Sequence, residues 1–268
     1  MRPCSPACRR APRGPLLNPL ARRAGDRPRR LRRGVFLLPS LMTVANLFCG
    51  YACVVYATRG DFDTGAVLIG IAMVLDTLDG FLARLTNSSS AFGVELDSLA
   101  DVVSFGLAPA ILAFQWGLWP AGRLGWAAGF IYLTAVAMRL ARFNIQTATV
   151  TDKRYFAGLP SPAAGGVIAS TVFLYPWGLQ DTRAAVLALP LVLVPALLMV
   201  STIRFRSIKA IDVGWRRSYI ALFIGAVLIA LVASHPRLAL VAMSYTYILW
   251  AVTSYAISRL RRRPAANP

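Results

Sequence analysis

The stretch DTLDGFLARLTNSSSAFGVELDSLAD, residues 76–101, places four aspartates in an otherwise apolar part of the chain. Only 11 of the 268 residues are Asp or Glu, so this concentration is unusual. The four are Asp76, Asp79, Asp97 and Asp101. A carboxylate near the centre of a bilayer costs about 3 kcal/mol on insertion scales, so four together require a positively charged ligand. The stretch is therefore the predicted active site.

The composition around this stretch is that of a membrane protein. Hydrophobic residues make up 57% of the chain, and apolar runs near the ~20 residues needed to cross a bilayer recur along it. The sequence predicts an all-α fold, a polytopic transmembrane helical bundle of about eight spans. The predicted spans are 36–58, 65–84, 96–117, 122–141, 160–177, 185–203, 218–234 and 237–258.

The distribution of basic residues predicts the topology. On one side of the predicted spans lie only Arg59, Arg123, Arg183 and Arg237, and the other Lys and Arg lie on the side of the N-terminus. The positive-inside rule then places both termini in the cytoplasm. Basic residues that flank membrane helices face anionic headgroups, so the net charge of +18 does not indicate nucleic-acid binding. The expected organisation is a disordered basic cytoplasmic tail (1–34), a transmembrane catalytic domain (35–258) and a cytoplasmic C-terminal tail (259–268).

Helical spacing gathers the aspartates on two faces. At about 100° per residue, Asp79 lies about 60° from Asp76 around the second span. The same face carries Gly80, Ala83 and Arg84. On the next span, residues at i, i+4 and i+8 form one stripe, which consists of Gly93, Asp97 and Asp101. The short connection between the spans makes the helices antiparallel neighbours, so the two stripes meet near the cytoplasmic surface.

The chemistry of these side chains indicates a metal site. Four neighbouring carboxylates stay ionised together only if cations neutralise them. Oxygen ligands without His or Cys select Mg²⁺ or Mn²⁺, and four carboxylates are enough for two ions, an arrangement suited to phosphoryl transfer. The small residues leave room for a bulky polar ligand, and Arg84 offers a forked donor for its phosphate.

Two structural explanations compete with this interpretation. Small residues also serve close helix packing in membranes. The carboxylates could instead form structural ion pairs, but Arg84 is the only basic residue between Gly60 and Gly122. One cation cannot pair with four anions, so ion pairing does not account for the cluster.

The string Asp76-x2-Asp79-Gly80-x2-Ala83-Arg84-x8-Gly93-x3-Asp97-x3-Asp101 matches the signature of the CDP-alcohol phosphotransferases, and the chain resembles that family. The resemblance implies a homodimeric membrane enzyme with six core helices that transfers a phosphatidyl-type group from a CDP-linked lipid to an alcohol, releases CMP and uses divalent metal. It implies that Asp76, Asp79 and Asp97 are metal ligands, and that Asp101 is a ligand and the general base. The cytidine pocket would be lined by Gly80, Ala83 and Gly93, and Arg84 would contact the diphosphate.

Three further strings resemble the branch of the family that uses serine, the phosphatidylserine synthases. They are TVANLFCG (43–50), GVELDSLAD (93–101), and MRLARFN (138–144) followed by FAGLPSP (156–162). The substrates implied are CDP-diacylglycerol and L-serine. Glycerol 3-phosphate or inositol phosphate remain alternative acceptors. A cation transporter is an alternative of another class, although transporters favour sites near the midplane whereas these stripes lead to a cytoplasmic loop.

The acceptor site is predicted at the cytoplasmic end of the fourth span. A serine carboxylate needs a cationic or amide clamp, and this helix end carries Arg139, Arg142 and Asn144. Arg139 and Arg142 are i, i+3 neighbours and can face the same ligand. Ordinary flanking of a membrane helix also explains two arginines here, and a phosphate-bearing acceptor would bind them too, so these residues do not identify the acceptor.

Overall fold

The computed structural model describes residues 29–86, 91–149, 155–201, 204–206, 223, 225–227, 230 and 233–261. The helices are α1 (Arg29–Thr58), α2 (Phe62–Thr86), α3 (Ala91–Asp101), α4 (Ala108–Ala113), α5 (Arg123–Thr149), α6 (Ser161–Leu174), α7 (Thr182–Val200) and α8 (Pro236–Arg261). Two π-helical segments, Val102–Leu107 and Phe114–Leu118, and a short 3₁₀ turn, Trp119–Ala121, continue α3 and α4 towards α5. Two short strands, β1 (Tyr155–Ala157) and β2 (Arg204–Arg206), pair antiparallel with Phe156 opposite Phe205.

Among the residues that the structure describes, five helical stretches are long and apolar enough to cross a membrane. They are Ser40–Thr58, Phe62–Leu82, Phe92–Ala121, Arg123–Ile145 and Thr182–Val200. These stretches agree with the first four predicted spans and the sixth, and they confirm an all-α membrane protein. The fifth predicted span corresponds to α6, a shorter helix of 14 residues, and the eighth to α8. The seventh span, 218–234, lies mostly outside the described residues, so the count of eight stays a prediction.

The ends of the membrane domain differ from the predicted boundaries. Helix α1 begins at Arg29, within the segment assigned to the N-terminal tail, and α8 ends at Arg261. Helix α1 thus begins six residues before the predicted boundary and α8 ends three residues after it, which exceeds the one or two residues by which helix ends commonly differ. Residues 1–28 and 262–268 lie outside the described part of the chain, so the division into two tails and one domain stays a prediction.

Small side chains form much of the core between the helices. Ala72 of α2 and Ala108 of α4 are fully buried, as is Cys53 of α1. Large apolar side chains such as Phe48 and Leu187 point outward instead. Lipid is as apolar as leucine, so membrane helices associate through close van der Waals packing, which small residues permit.

The π-helical segment that follows Asp101 is held by hydrogen bonds from two sides. Tyr132 of α5, fully buried, donates from its hydroxyl to the carbonyl of Phe105 at 3.0 Å. Ser104 donates from its hydroxyl to the carbonyl of Asn46 in α1 at 2.9 Å. Gly50, one turn later in α1, lies so close to Ser104 that a Cβ atom would meet its backbone at 2.7 Å. These contacts fix the height and rotation of Asp101 relative to α1 and α5.

Candidate metal and substrate site

Three of the four aspartates converge between α2 and α3. Asp76 of α2 and Asp97 and Asp101 of α3 each offer a carboxylate oxygen, and these oxygens lie within 4.8 Å of one another. The buried Oδ1 atoms of Asp97 and Asp101 have no hydrogen-bond partner among the described residues. Buried oxygens that only accept hydrogen bonds and lack a donor fit a cation. The arrangement therefore suits a divalent metal ion.

Asp79 lies beside this group and is held by α1. Its side chain is only 5% exposed, and Thr43 donates a hydrogen bond from its hydroxyl to Oδ2 of Asp79 at 3.1 Å. Asp79 also interacts electrostatically with Asp76 and Asp97. The predicted fourth ligand thus lies at the α1 side of the cluster, outside the set of three that share one candidate ion. In the sequence, only a string resembling the serine-using branch pointed to Thr43.

Arg139 of α5 completes the charged part of the site. Its guanidinium interacts electrostatically with Asp101 and Asp76. Nη1 donates a hydrogen bond to the hydroxyl of Ser161 at 2.8 Å, and the buried Nε has no partner in the described part of the chain. A guanidinium with a free N–H beside the carboxylates can bind an anionic group of a substrate.

Comparison with known proteins identifies the family to which this site belongs. The model of the CDP-alcohol phosphatidyltransferase family matches residues 36–203, which include α2 to α7, most of α1 and every aspartate of the cluster. The chain belongs to the CDP-alcohol phosphatidyltransferase family. The resemblance drawn from the signature residues is thereby confirmed.

Individual relatives show which members of the CDP-alcohol phosphatidyltransferase family the chain resembles. The chain is 35% identical over 219 residues to a CDP-diacylglycerol–serine O-phosphatidyltransferase of Helicobacter pylori, covering 81% of this chain and 90% of the relative. The Bacillus subtilis enzyme of the same name is 33% identical over 138 residues, or 52% of this chain and 76% of the relative. An archaetidylserine synthase of Methanothermobacter thermautotrophicus is 31% identical over 170 residues, which are 63% of this chain and 69% of the relative.

The rest of the family signature lies on the same helices. Gly80 follows Asp79 on α2 and Gly93 precedes Asp97 on α3, and both are partly buried. Ala83 and Arg84 lie between Gly80 and the C-terminal end of α2, but their side chains are outside the described part of the structure. The cytidine and diphosphate contacts of these four residues stay predictions.

The two other residues predicted for the acceptor differ from Arg139 in their surroundings. Asn144 donates from Nδ2 to the hydroxyl of Ser98 at 3.0 Å. Since Ser98 lies between Asp97 and Asp101, this bond ties α5 to α3. Arg142 lies one turn after Arg139 on α5 and is partly buried.

Two residues of the site were not identified from the sequence. Ser161 stands at the start of α6, where Pro160 has an extended backbone before the first turn and Pro162 lies within it. Proline is tolerated at such positions because the first N–H groups of a helix have no partner within it. Tyr247 of α8 faces Arg139 closely enough to interact with it electrostatically. Ser161 lies within the string FAGLPSP (156–162), which resembles the serine-using branch, but no sequence signal singled out Tyr247.

Proposed function

We infer that this protein is a CDP-diacylglycerol–serine O-phosphatidyltransferase. It transfers the phosphatidyl group of CDP-diacylglycerol to the hydroxyl of L-serine and yields phosphatidylserine and CMP. The observation that carries this proposal is the group of three carboxylates within 4.8 Å of one another beside Arg139, in a member of the CDP-alcohol phosphatidyltransferase family. The serine acceptor is supported by the Helicobacter pylori relative, of which the chain covers 90%.

We propose that the carboxylates would hold two divalent ions, either Mg²⁺ or Mn²⁺. Asp76, Asp97 and Asp101 would bind one ion, and Asp79 would help to bind the other from the α1 side. When bound, such ions neutralise the diphosphate and offset the charge that develops on the leaving group. Oxygen-only ligation favours these hard cations over zinc.

Asp101 is the general base of the reaction. Asp101 is 9% exposed and has two carboxylate oxygens, so one oxygen can bind the ion while the other accepts a hydrogen bond from the incoming hydroxyl. As the serine oxygen attacks the phosphorus that bears the lipid, its proton passes to Asp101. The bond between that phosphorus and the bridging oxygen breaks, and the oxygen leaves with the electron pair as part of CMP.

Arg139 binds the carboxylate of serine. Its Nη1 is fixed by Ser161, which leaves Nε oriented and free for a second bond. A guanidinium held in this way forms strong, directional bonds with a carboxylate. Asn144 supports the site indirectly by holding Ser98, and Arg142 supplies a further positive charge on the same helix.

The CDP-lipid binds on the other side of the aspartates. We propose that Gly80, Ala83 and Gly93 line the cytidine pocket and that Arg84 contacts the diphosphate. The site opens to the cytoplasmic face of the cell membrane, with both termini on that side, because the basic residues concentrate there. Homodimer formation is proposed from the family resemblance.

The decisive experiment is a reconstitution with labelled serine. Purified protein in detergent micelles with CDP-diacylglycerol and Mn²⁺ or Mg²⁺ should yield labelled phosphatidylserine and an equal amount of CMP. Chelation with EDTA should abolish the reaction, and added metal should restore it. Labelled lipid from glycerol 3-phosphate or inositol phosphate, without any from serine, would reject the serine assignment and retain the chemistry.

A further inference from the structure

Asn46 of α1 is a fully buried polar side chain that the mechanism above does not use. Its exposed fraction is 0%, and neither Nδ2 nor Oδ1 has a hydrogen-bond partner in the part of the chain that the structure describes. Buried amides are almost always paired in folded proteins, because an unpaired one forfeits its bonds to water. A ligand is therefore expected to satisfy this side chain.

The position of Asn46 directs it towards the carboxylates. Thr43, one turn earlier on the same face, binds Asp79, and the carbonyl of Asn46 itself accepts a hydrogen bond from Ser104, three residues after Asp101. Helical side chains lean towards the N-terminus of their helix, so the amide lies between the level of Thr43 and that of Ser104. The amide therefore lies on the face of α1 that contacts α2 at Asp79 and the segment that follows Asp101.

Every buried, unpartnered side-chain atom among the described residues belongs to this region of the molecule. The atoms are Nδ2 and Oδ1 of Asn46, Oδ1 of Asp97, Oδ1 of Asp101 and Nε of Arg139. They represent three chemical types: carboxylate oxygens, a guanidinium N–H and a neutral amide. An amino-acid acceptor also presents three polar groups on neighbouring carbons, namely a hydroxyl, a carboxylate and an ammonium. The proposed function assigns its hydroxyl to Asp101 and its carboxylate to Arg139, which leaves the ammonium.

We propose that Asn46 is an acceptor-binding residue whose amide oxygen accepts a hydrogen bond from the ammonium group of the amino-acid substrate. This assignment rests on the proposed function. A neutral oxygen is suited to the task because it adds no further negative charge to a site that already has four carboxylates. It also contributes to specificity, since alcohols without an ammonium group leave the amide unpaired.

The test compares Michaelis constants in Asn46→Leu, which keeps the side-chain size and removes both polar atoms. The KM for serine should rise about 10- to 100-fold, as expected for a lost hydrogen bond to a charged group, while the KM for CDP-diacylglycerol stays within about twofold. The melting temperature should be unchanged or higher because a buried unpaired amide is removed. Ser170→Ala is the matched control, since Ser170 is buried in α6 and binds only the carbonyl of Val167 among the described residues. In Ser170→Ala, the KM for serine and the KM for CDP-diacylglycerol should stay at wild-type values.

A substrate analogue adds a second measurement. 3-Hydroxypropionate keeps the hydroxyl and carboxylate of serine but lacks the ammonium. Its inhibition constant in competition with serine should be the same, within about twofold, for the wild type and Asn46→Leu. The reason is that 3-hydroxypropionate has no ammonium group to contact Asn46. A parallel loss of serine and 3-hydroxypropionate binding would overturn the assignment to the ammonium.

Further outcomes separate this inference from the proposed function. An unchanged serine KM in folded Asn46→Leu, or an equal rise in the KM for CDP-diacylglycerol, overturns the role of Asn46 and leaves the activity standing. If the leucine variant does not fold, Asn46→Ala is measured with the same criteria. A wild-type protein that makes no phosphatidylserine from serine overturns the proposed function, and the inference with it.

Discussion

Replacement of Gly50 by alanine tests whether the contact between α1 and the π-helical segment positions Asp101. A Cβ atom at residue 50 would lie 2.6 Å from Oγ and 2.7 Å from Cα of Ser104. Ordinary van der Waals contact begins near 3.4 Å, so the two backbones must separate by about 0.7 Å. Since Cα of Ser104 is a backbone atom, no side-chain rotation relieves the clash.

Both stability and turnover should respond to this separation. Overpacking of a close helix contact typically costs about 1–3 kcal/mol. The hydrogen bond from Ser104 to Asn46 would lengthen, and Asp101, one turn before Ser104, would shift with its helix. A misplacement near 1 Å costs about 100-fold in rate, so a shift of about 0.7 Å should lower kcat roughly 10- to 100-fold.

The assay pairs phosphatidylserine formation at saturating substrates with thermal unfolding in detergent. Gly70→Ala is the matched control, because Gly70 lies on the exposed face of α2, and a Cβ there would have no described neighbour outside its own helix within 4 Å. This control should keep its activity and gain up to about 1 kcal/mol from helix propensity. If Gly50→Ala equals the control in both measurements, the close contact does not position Asp101.

Three further substitutions test separate parts of the site. Asp101→Asn should lower kcat by about 10²- to 10⁴-fold while CDP-diacylglycerol binding, measured by equilibrium titration, is largely retained; unchanged turnover rejects the general base. Arg139→Met should raise the serine KM at least about tenfold and leave the KM for CDP-diacylglycerol near wild type, and an unaltered serine KM would contradict the carboxylate contact. Tyr132→Phe should lower the free energy of unfolding by about 1–3 kcal/mol, because the buried carbonyl of Phe105 loses its donor; denaturant titration with no change would show that the bond contributes nothing.

The convergence of the aspartates followed from the sequence because it depends on local geometry. Helical periodicity puts Asp97 and Asp101 on one stripe, and a short connection brings that stripe against Asp76. The membrane spans could likewise be predicted from the lengths of the apolar runs, and five of them agree with the structure. Periodicity and loop length are properties of residues close together in the sequence, so these features do not depend on how the helices assemble.

The contacts between distant parts of the chain could not be predicted in the same way. Thr43 bonds to Asp79, and Ser161 bonds to Arg139, through helix crossings that no single segment specifies. Tyr247 reaches the site from α8, far along the chain. The residues of the π-helical segment after Asp101 would also fit an ordinary α-helix, so their composition does not predict the π-helical form. Its form depends on the partners that bind its carbonyls, which the sequence does not reveal.

That π-helical turn changes the angular phase of the long rod that begins with α3. Each i→i+5 turn accommodates one residue more than an α-helical turn and so sets the following residues back by about 100° around the axis. The stripe of Asp97 and Asp101 therefore does not continue into α4, whose residues Ala108 to Ala110 are buried in the core. The rod therefore presents its aspartates and the core-packing residues of α4 on faces that are offset by a fixed angle. Insertion or deletion of one residue in this π-helical segment would change that angle and turn the aspartates relative to the core against which α4 packs.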